Sequence, residues 1–272
     1  MEKDAIGIFD SGVGGLTVFT KIKSEFPNEN IVYLGDTKNF PYGGRKSEEI
    51  IEYSIHNVDE LIRRGAKMII IACGTATSQA IDVLKEKFKI PIIGIIEPTV
   101  KYIKEQKIKR VGIIATKGTI RNGAWEKKLK EAMPEIEVIN KACPMLAEIA
   151  EEGRANSIEG RKVIKEYMEI FKKNKIDKII LGCTHYPIYE KIIREEFEYD
   201  IELIHTGETV AKYIKKYMEE NRLENKGKKT REEIYLTKPE KEFANIAKNI
   251  MKIDTKIQEI RLKCWHKGNY KI

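Results

Sequence analysis

The chain has no Cys-x-x-Cys pair, no apolar run long enough to cross a bilayer and no glycine-rich loop of nucleotide-binding spacing. Each absence removes a class of function. The four cysteines, Cys73, Cys143, Cys183 and Cys264, are scattered through 272 residues. That spacing argues against a zinc site and, in a reducing compartment, for free thiols over disulfides. Met1-Glu2-Lys3-Asp4 runs straight into a strand-like segment, without the basic and then apolar regions of a secretory signal. With no span of transmembrane length either, the expectation is a soluble cytoplasmic protein with no membrane partner. Asp10-Ser11-Gly12-Val13-Gly14-Gly15-Leu16 has neither Gly-x-Gly-x-x-Gly spacing nor a Gly-Lys-Ser/Thr. It reads as backbone donors approaching a small anion, such as a carboxylate, at a helix start. No lysine sits in a recognisable cofactor motif, so no cofactor is expected.

What is abundant is charge and β-branched apolar residues. The net charge is +8, and 42% of residues are apolar. A basic excess raises the question of nucleic acid. Segments such as Glu126-Lys127-Lys128-Leu129-Lys130-Glu131 mix both signs, however, which is the pattern of a solvated helix face. No nucleic-acid partner is expected.

Near-continuous apolar runs alternate with amphipathic stretches. Strands are predicted at Ala5–Phe9, Ile31–Leu34, Met68–Ile71, Ile92–Ile95, Val111–Ile114, Ile136–Ile139, Lys178–Leu181, Ile201–Ile204 and Ile234–Leu236. Such runs suit parallel strands buried on both faces. Between them Ser47–Arg64 carries Ile50, Ile51, Ile55, Val58 and Ile62 at helical spacing. Ile50 denies that helix a capping box from Ser47, which is left to cap alone. Further helices are predicted at Thr75–Phe88, at Pro187–Phe197 and from about Pro239 to Met251.

Two pairs of segments repeat. Lys67–Thr75 lies over Asp177–His185, so that Cys73 and Cys183 coincide at an offset of 110 residues. Ala5–Ser11 lies over Arg110–Thr116 at an offset of 105. The predicted fold is α/β, with two pseudo-symmetric domains, each a mainly parallel sheet flanked by helices, and an active site in the cleft between them. The first domain is expected from 1–97 plus 208–272, the tail returning to pack on it, and the second from 98–207.

Ligands of open α/β sheets bind outside the carboxyl ends of strands. Asp10 and Ser11, Cys73 and Thr75, Thr116, and Cys183, Thr184 and His185 all follow predicted strands. A lone buried cysteine is usually a small hydrophobe. Packing does not require two at matching points of a repeat. A thiol titrates near neutrality, and a following helix N-terminus favours its anion. Asp10 beside Cys73 and His185 beside Cys183 are the candidates to exchange protons with them. Two thiols flanking a pocket can take a proton from one face of a carbon and return one to the other, which is racemase chemistry. The loop Gly35–Arg45, with its proline, glycines and aromatics, is placed to close over a ligand.

These pieces together resemble the glutamate racemases of the aspartate/glutamate racemase family. The match is carried by Ile8–Leu16, Gly35-Asp36 with Pro41-Tyr42-Gly43, Ile71-Ala72-Cys73 and Leu181-Gly182-Cys183-Thr184-His185-Tyr186-Pro187. Tyr235-Leu236-Thr237 followed by Phe243 adds to it. The resemblance implies cofactor-independent interconversion of L- and D-glutamate, supplying D-glutamate for peptidoglycan. Cys73 and Cys183 would be the acid/bases, assisted by Asp10, His185 and a glutamate that is Glu151 or its neighbour Glu152. Asp10, Ser11, Pro41, Tyr42, Gly43, Gly74, Thr75, Thr116, Thr184 and His185 would line the substrate, and the assembly would be a homodimer. Alternatives are racemisation of aspartate or another amino acid, or a non-catalytic binding or regulatory protein on the same fold. Two positions depart from the family pattern. Gly74 replaces a common asparagine, so that donors there must come from backbone, and His205 stands where an aspartate is common.

Overall fold

The computed structural model describes residues 4–225, 230–239, 241–250, 253, 256–260 and 262. The chain starts with β1 (Ala5–Asp10), α1 (Leu16–Glu25), β2 (Asn30–Gly35), α2 (Ser47–Arg63), β3 (Ala66–Ile71), α3 (Gly74–Lys87) and β4 (Ile92–Gly94). α4 (Ile96–Glu105) leads into β5 (Arg110–Ala115), α5 (Lys117–Asn122), α6 (Ala124–Ala132) and β6 (Glu137–Ala142). Next come α7 (Pro144–Glu151), α8 (Ile158–Lys173), β7 (Lys178–Leu181), α9 (Glu190–Glu195) and β8 (Glu202–His205). α10 (Thr206–Asn221), β9 (Glu232–Leu236), α11 (Lys241–Asn245) and β10 (Ile257–Glu259) complete the described elements.

Among the described residues all strand pairs are parallel. One sheet has the order β10-β9-β2-β1-β3-β4, the other β6-β5-β7-β8. Laid over each other, β2-β1-β3-β4 and β6-β5-β7-β8 are the same arrangement, as the sequence repeat requires. In each, the chain leaves the first strand to one side and returns on the other. The resulting crevice opens at the carboxyl ends of β1 and β3, and again at those of β5 and β7.

The central strands of both sheets are covered on both faces, which is why they are nearly continuous apolar runs rather than alternating. Ile6 and Ile8 of β1 and Met68 and Ile70 of β3 face a core that also holds Leu16, Val100, Val210 and Ile214 from α1, α4 and α10. Val111, Ile113, Ile180 and Ile204 of the second sheet enter the same core, with Trp125 and Leu129 of α6. The two sheets therefore share one helical layer, pinned by a buried hydroxyl pair, Thr99 to Thr209, at 2.6 Å. Phe9, Leu34, Ile69 and Ile71 pack outward on α2 and α3. Ile114, Ile179, Leu181 and Leu203 pack outward on α7, α8 and α9. Burying each such side chain contributes roughly 2–3 kcal/mol. Gly7 and Gly112, matched in the repeat, let a helix approach each central strand: a Cβ on Gly112 would stand 2.6 Å from the Phe171 ring.

Strand ends lie within three residues of expectation, and β7 matches it at both ends. The larger differences have physical causes. Ser47 does not cap α2: its hydroxyl donates to Gln79 at 2.6 Å, and Glu49 instead accepts from the Lys46 N–H at 3.2 Å. The segment from Pro187 opens as a 3-10 turn, Tyr186–Tyr189, before the short α9. The Tyr186 and Tyr189 hydroxyls donate to the carbonyls of Cys143 and Leu146, tying that turn to α7. The tail helix is α11 followed by a π-helical turn, Ile246–Ile250; its expected end at Met251, like Cys264, lies outside the described residues. β10 gave no apolar run to read, since it pairs only with β9 at the sheet edge. β9 pairs with β2, with Tyr33 opposite Ile234, so that strand of the tail extends the first sheet.

Candidate active site

Both crevices open toward each other, and the loops beyond their strands meet. Cys73 and Cys183 each stand two residues past the end of a central strand. Asp10, Ser11, Cys73, Thr75, Tyr42, Thr116, Cys183, Thr184 and His185 are all buried.

Cys73 caps α3: its sulfur accepts from the Ala76 N–H at 3.5 Å and lies 3.8 Å from the Ser11 hydroxyl. Burial pushes its thiol up to about 12, and the nearby Asp10 and Cys183 act in the same direction. Hydrogen bonds with the Ala76 N–H and the Ser11 hydroxyl oppose the shift without cancelling it, so Cys73 holds its proton at neutral pH. By contrast, Cys183 has no α-helix start behind it. Its sulfur faces His185 Nδ1 at 3.6 Å, and the Tyr186 N–H donates to its carbonyl.

His185 Nε2 lies 2.6 Å from Glu151 Oε1. Burial opposes charging the imidazole, but hydrogen bonds with Cys183 and Glu151 outweigh it and hold its pKa well above the usual range. As an imidazolium, both ring nitrogens donate, one to sulfur and one to carboxylate. Phe40 packs on that ring at 5.7 Å between centroids.

Asp10 ends β1 and reaches across to the other half. It accepts from the Gly12 N–H at 3.1 Å and from the Thr184 hydroxyl at 3.0 Å. Burial raises its carboxyl from 3.8 to about 6, against the pull of His185. The glycine-rich turn anticipated as an anion cradle does meet carboxylates, but the chain's own. The Gly12 N–H donates to Asp10 and the Val13 N–H to Glu151, the latter at 2.6 Å. Gly14 must stay bare, because a Cβ there would lie 2.6 Å from both His185 Nδ1 and Thr184 Oγ1. Of the two adjacent glutamates, Glu151 points inward and Glu152 pairs with Arg154 at the surface.

The remaining expected residues divide. Thr75 and Thr116 meet hydroxyl to hydroxyl at 2.9 Å across the halves, joined by Thr119. The Gly43 carbonyl accepts from the Gly118 N–H at 3.0 Å, closing the loop after β2 onto α5. Pro41 is exposed at the rim. The Tyr42 hydroxyl is taken up within the first half, donating to Asp36 at 2.5 Å and accepting from Asn57 at 3.1 Å. What Tyr42 offers a ligand is its backbone. A Cβ on Gly74 would collide with the Gly182 carbonyl oxygen, so the two thiol-bearing loops touch at backbone level. His205 sits outside this cluster, 3.2 Å from Glu190.

Thr119 and Gly118 were not singled out in the sequence, and Asp36 was quoted only as part of the family match, with no role. Asp36 is wholly buried and accepts from Tyr42, Asn39 and Thr237, which anchors the closing loop. Its signal was available: an aspartate directly after a strand, opening a polar loop. Thr119 follows Thr116 at the spacing of a hydroxyl cap, and its N–H does donate to the Thr116 hydroxyl at 3.3 Å. Cys143 is buried with its thiol pushed far up by desolvation, a packing residue of the second sheet's outer core.

A sequence profile of the family described as Asp/Glu/Hydantoin racemase matches residues 23–214. The glutamate racemase of Aquifex aeolicus is 41% identical over 214 residues, covering 78% of this chain and 83% of that one. The crystal structure of glutamate racemase isoform RacE1 from Bacillus anthracis superposes with a TM-score of 0.91 at 31% identity, over 96% of this chain and 99% of the other. The Francisella tularensis glutamate racemase, solved with D-glutamate, gives a TM-score of 0.88 at 32% identity, over 96% and 98%.

Proposed function

Because the chain belongs to the Asp/Glu/Hydantoin racemase family, and its two halves bring one thiol each to a common seam, we propose that it interconverts L- and D-glutamate by two-base proton transfer. The observation that carries this reading is the backbone contact between the two thiol loops, Gly74 against Gly182. The glutamate activity of similar enzymes, one solved with D-glutamate, supports that substrate.

A bound amino acid exchanges partners with the contacts now closing the seam. Ser11, Thr75, Thr116 and Thr184 hydroxyls and backbone donors of the glycine-rich turn hold its carboxylates. Asp10 receives the ammonium, which adds to the pull of His185 on its buried carboxyl. The resting proton arrangement suits L to D. Cys73 keeps its proton as the donor thiol, while the His185 imidazolium donates a hydrogen bond to the Cys183 sulfur and supports the thiolate that acts as base. Abstraction on the Cys183 side and delivery from Cys73 invert Cα and leave the charges exchanged. The reverse reaction uses the same atoms in the opposite order. Donors fixed around the α-carboxylate stabilise the carbanionic charge as it develops. The same proposal includes a cytoplasmic homodimer supplying D-glutamate for peptidoglycan; size-exclusion chromatography with light scattering tests the dimer.

The experiment is racemisation in deuterium oxide with no added cofactor. Either glutamate enantiomer should lose optical activity while deuterium appears at Cα. Cys73→Ala and Cys183→Ala should each lose at least about 1,000-fold in racemisation with unchanged circular dichroism. A folded enzyme that leaves Cα protium in place, or either variant racemising normally, disproves the scheme. Faster turnover of aspartate than glutamate reassigns the substrate.

A further inference from the structure

We infer that Gly74 is a positioning residue that sets how closely the two thiols approach a shared carbon, an inference that rests on the racemase reading above. Gly74 directly follows Cys73, and Gly182 directly precedes Cys183. A Cβ on Gly74 would overlap the Gly182 carbonyl oxygen, with Ile95 Cδ1 next at 3.4 Å. The obstacle is backbone, so no rotamer change relieves it. Nor can Gly182 retreat. Its N–H donates to the Ile114 carbonyl at 2.8 Å. Its own Cβ position lies 2.9 Å from that oxygen, 3.1 Å from Trp125 Nε1 and 3.2 Å from Ala115 Cβ. Trp125 is buried in the shared core, with its indole N–H unpaired within the protein. On the other side Gly74 opens α3, whose cap is Cys73 itself. The loops therefore meet at a hard stop, and any side chain at 74 parts them.

This glycine differs from Gly7 and Gly112, which sit inside strands against helices. The contact at Gly74 lies between the halves and beyond their strand ends. There the loops can separate without unpacking the shared helical layer. The cost of a larger residue thus falls on thiol spacing rather than on folding. A displacement on the order of 1 Å at reacting groups costs about 100-fold in rate. Both directions of racemisation use the same spacing, so both suffer alike. Substrate affinity, carried by Ser11, Thr75 and Thr184 on either side, changes little. The asparagine common at this position would supply an amide to the substrate; this chain has backbone closeness instead.

Gly74→Ala tests the inference through steady-state kinetics on each glutamate enantiomer, with thermal unfolding alongside. The expected result is a kcat lower by about 10- to 100-fold in both directions, KM within about 3-fold and Tm within about 3 °C of the parent. A kcat within about 2-fold, or a loss confined to KM, overturns it. So does a variant that fails to fold or melts far lower, since Gly74 would then be a packing glycine. An inert parent enzyme sinks the racemase reading itself; an active parent with an unaffected variant sinks only this inference.

Discussion

At the scale of single residues, the site is a set of charges arranged so that only one partner at a time is comfortable. Glu151 holds two donors, the Val13 N–H and His185, and its charge helps keep the imidazole protonated. Glu151→Gln should still accept from backbone but release that charge, lowering kcat by about 10-fold or more and moving the pH dependence of activity downward on its alkaline side. Glu152→Gln, at the surface beside Arg154, should stay within about 2-fold. Kinetics of both variants across pH decide which glutamate serves the site; equal losses would mean neither is special. Asp10 gives a stability signature. Its pKa rises from 3.8 unfolded to about 6 folded, so between those values the native state binds the proton and the unfolded state does not. Stability contributed by the protonated form is complete below about pH 4 and is lost as pH rises toward 6, by about 3 kcal/mol in total. Asp10→Asn should abolish that slope while lowering activity, and urea melts at pH 4 to 7 would show a parallel pH dependence in both proteins if the idea is wrong. The cysteines were legible because a repeat marked them, and Asp10 and His185 because each follows a predicted strand beside a thiol. Asp36 was visible as an aspartate directly after a strand, but its role was not, since anchoring a loop depends on Tyr42, Asn39 and Thr237 meeting it in the fold.

Among elements, the central strands were the most readable, because burial on both faces makes them uniformly apolar. Their ends were not, since pairing extends into residues such as Asn30, Arg110 and Lys141 that carry polar side chains. Ser47 was misplaced because capping depends on where the chain enters the helix, and Gln79 from α3 competes for its hydroxyl. An ion pair unseen in the sequence joins the start of β3 to the approach to β2. Lys67 and Glu29 lie 2.5 Å apart, only 9% and 4% exposed. Lys67 also donates to the Leu223 carbonyl and Glu29 accepts from the Asn225 N–H, fastening the segment after α10 to the first sheet. Removing one partner leaves a buried charge alone. Lys67→Met should therefore cost roughly 3–5 kcal/mol in urea unfolding, and adding Glu29→Gln should recover much of it. A single variant as stable as the parent would show that the pair is solvated in practice.

For the whole molecule, the repeat predicted two like sheets, and they share one strand order. It did not predict that they share a helical layer, because contacts among α1, α4, α6 and α10 follow from tertiary packing that no local pattern encodes. That layer makes the back of the molecule one body, while the thiol side is closed mainly by polar contacts, with Phe40 packed on the His185 ring. The Gly118 N–H to Gly43 and the Val13 N–H to Glu151 each cross from one half to the other. Opening there exposes little apolar surface, so it should need far less free energy than opening the sheets. Substrate must pass through such an opened state and then bridge it. Native-state hydrogen exchange should show Gly118 and Val13 amides opening at least about 2 kcal/mol more easily than Ile8 and Ile70 in the central strands. D-glutamate at about 100 times its Kd should slow those seam amides by up to about 100-fold, the mass-action limit for a ligand that binds only the closed form. Strand-like protection of the seam without ligand, or exchange there indifferent to glutamate, would mean that substrate reaches the thiols by some route other than parting the halves.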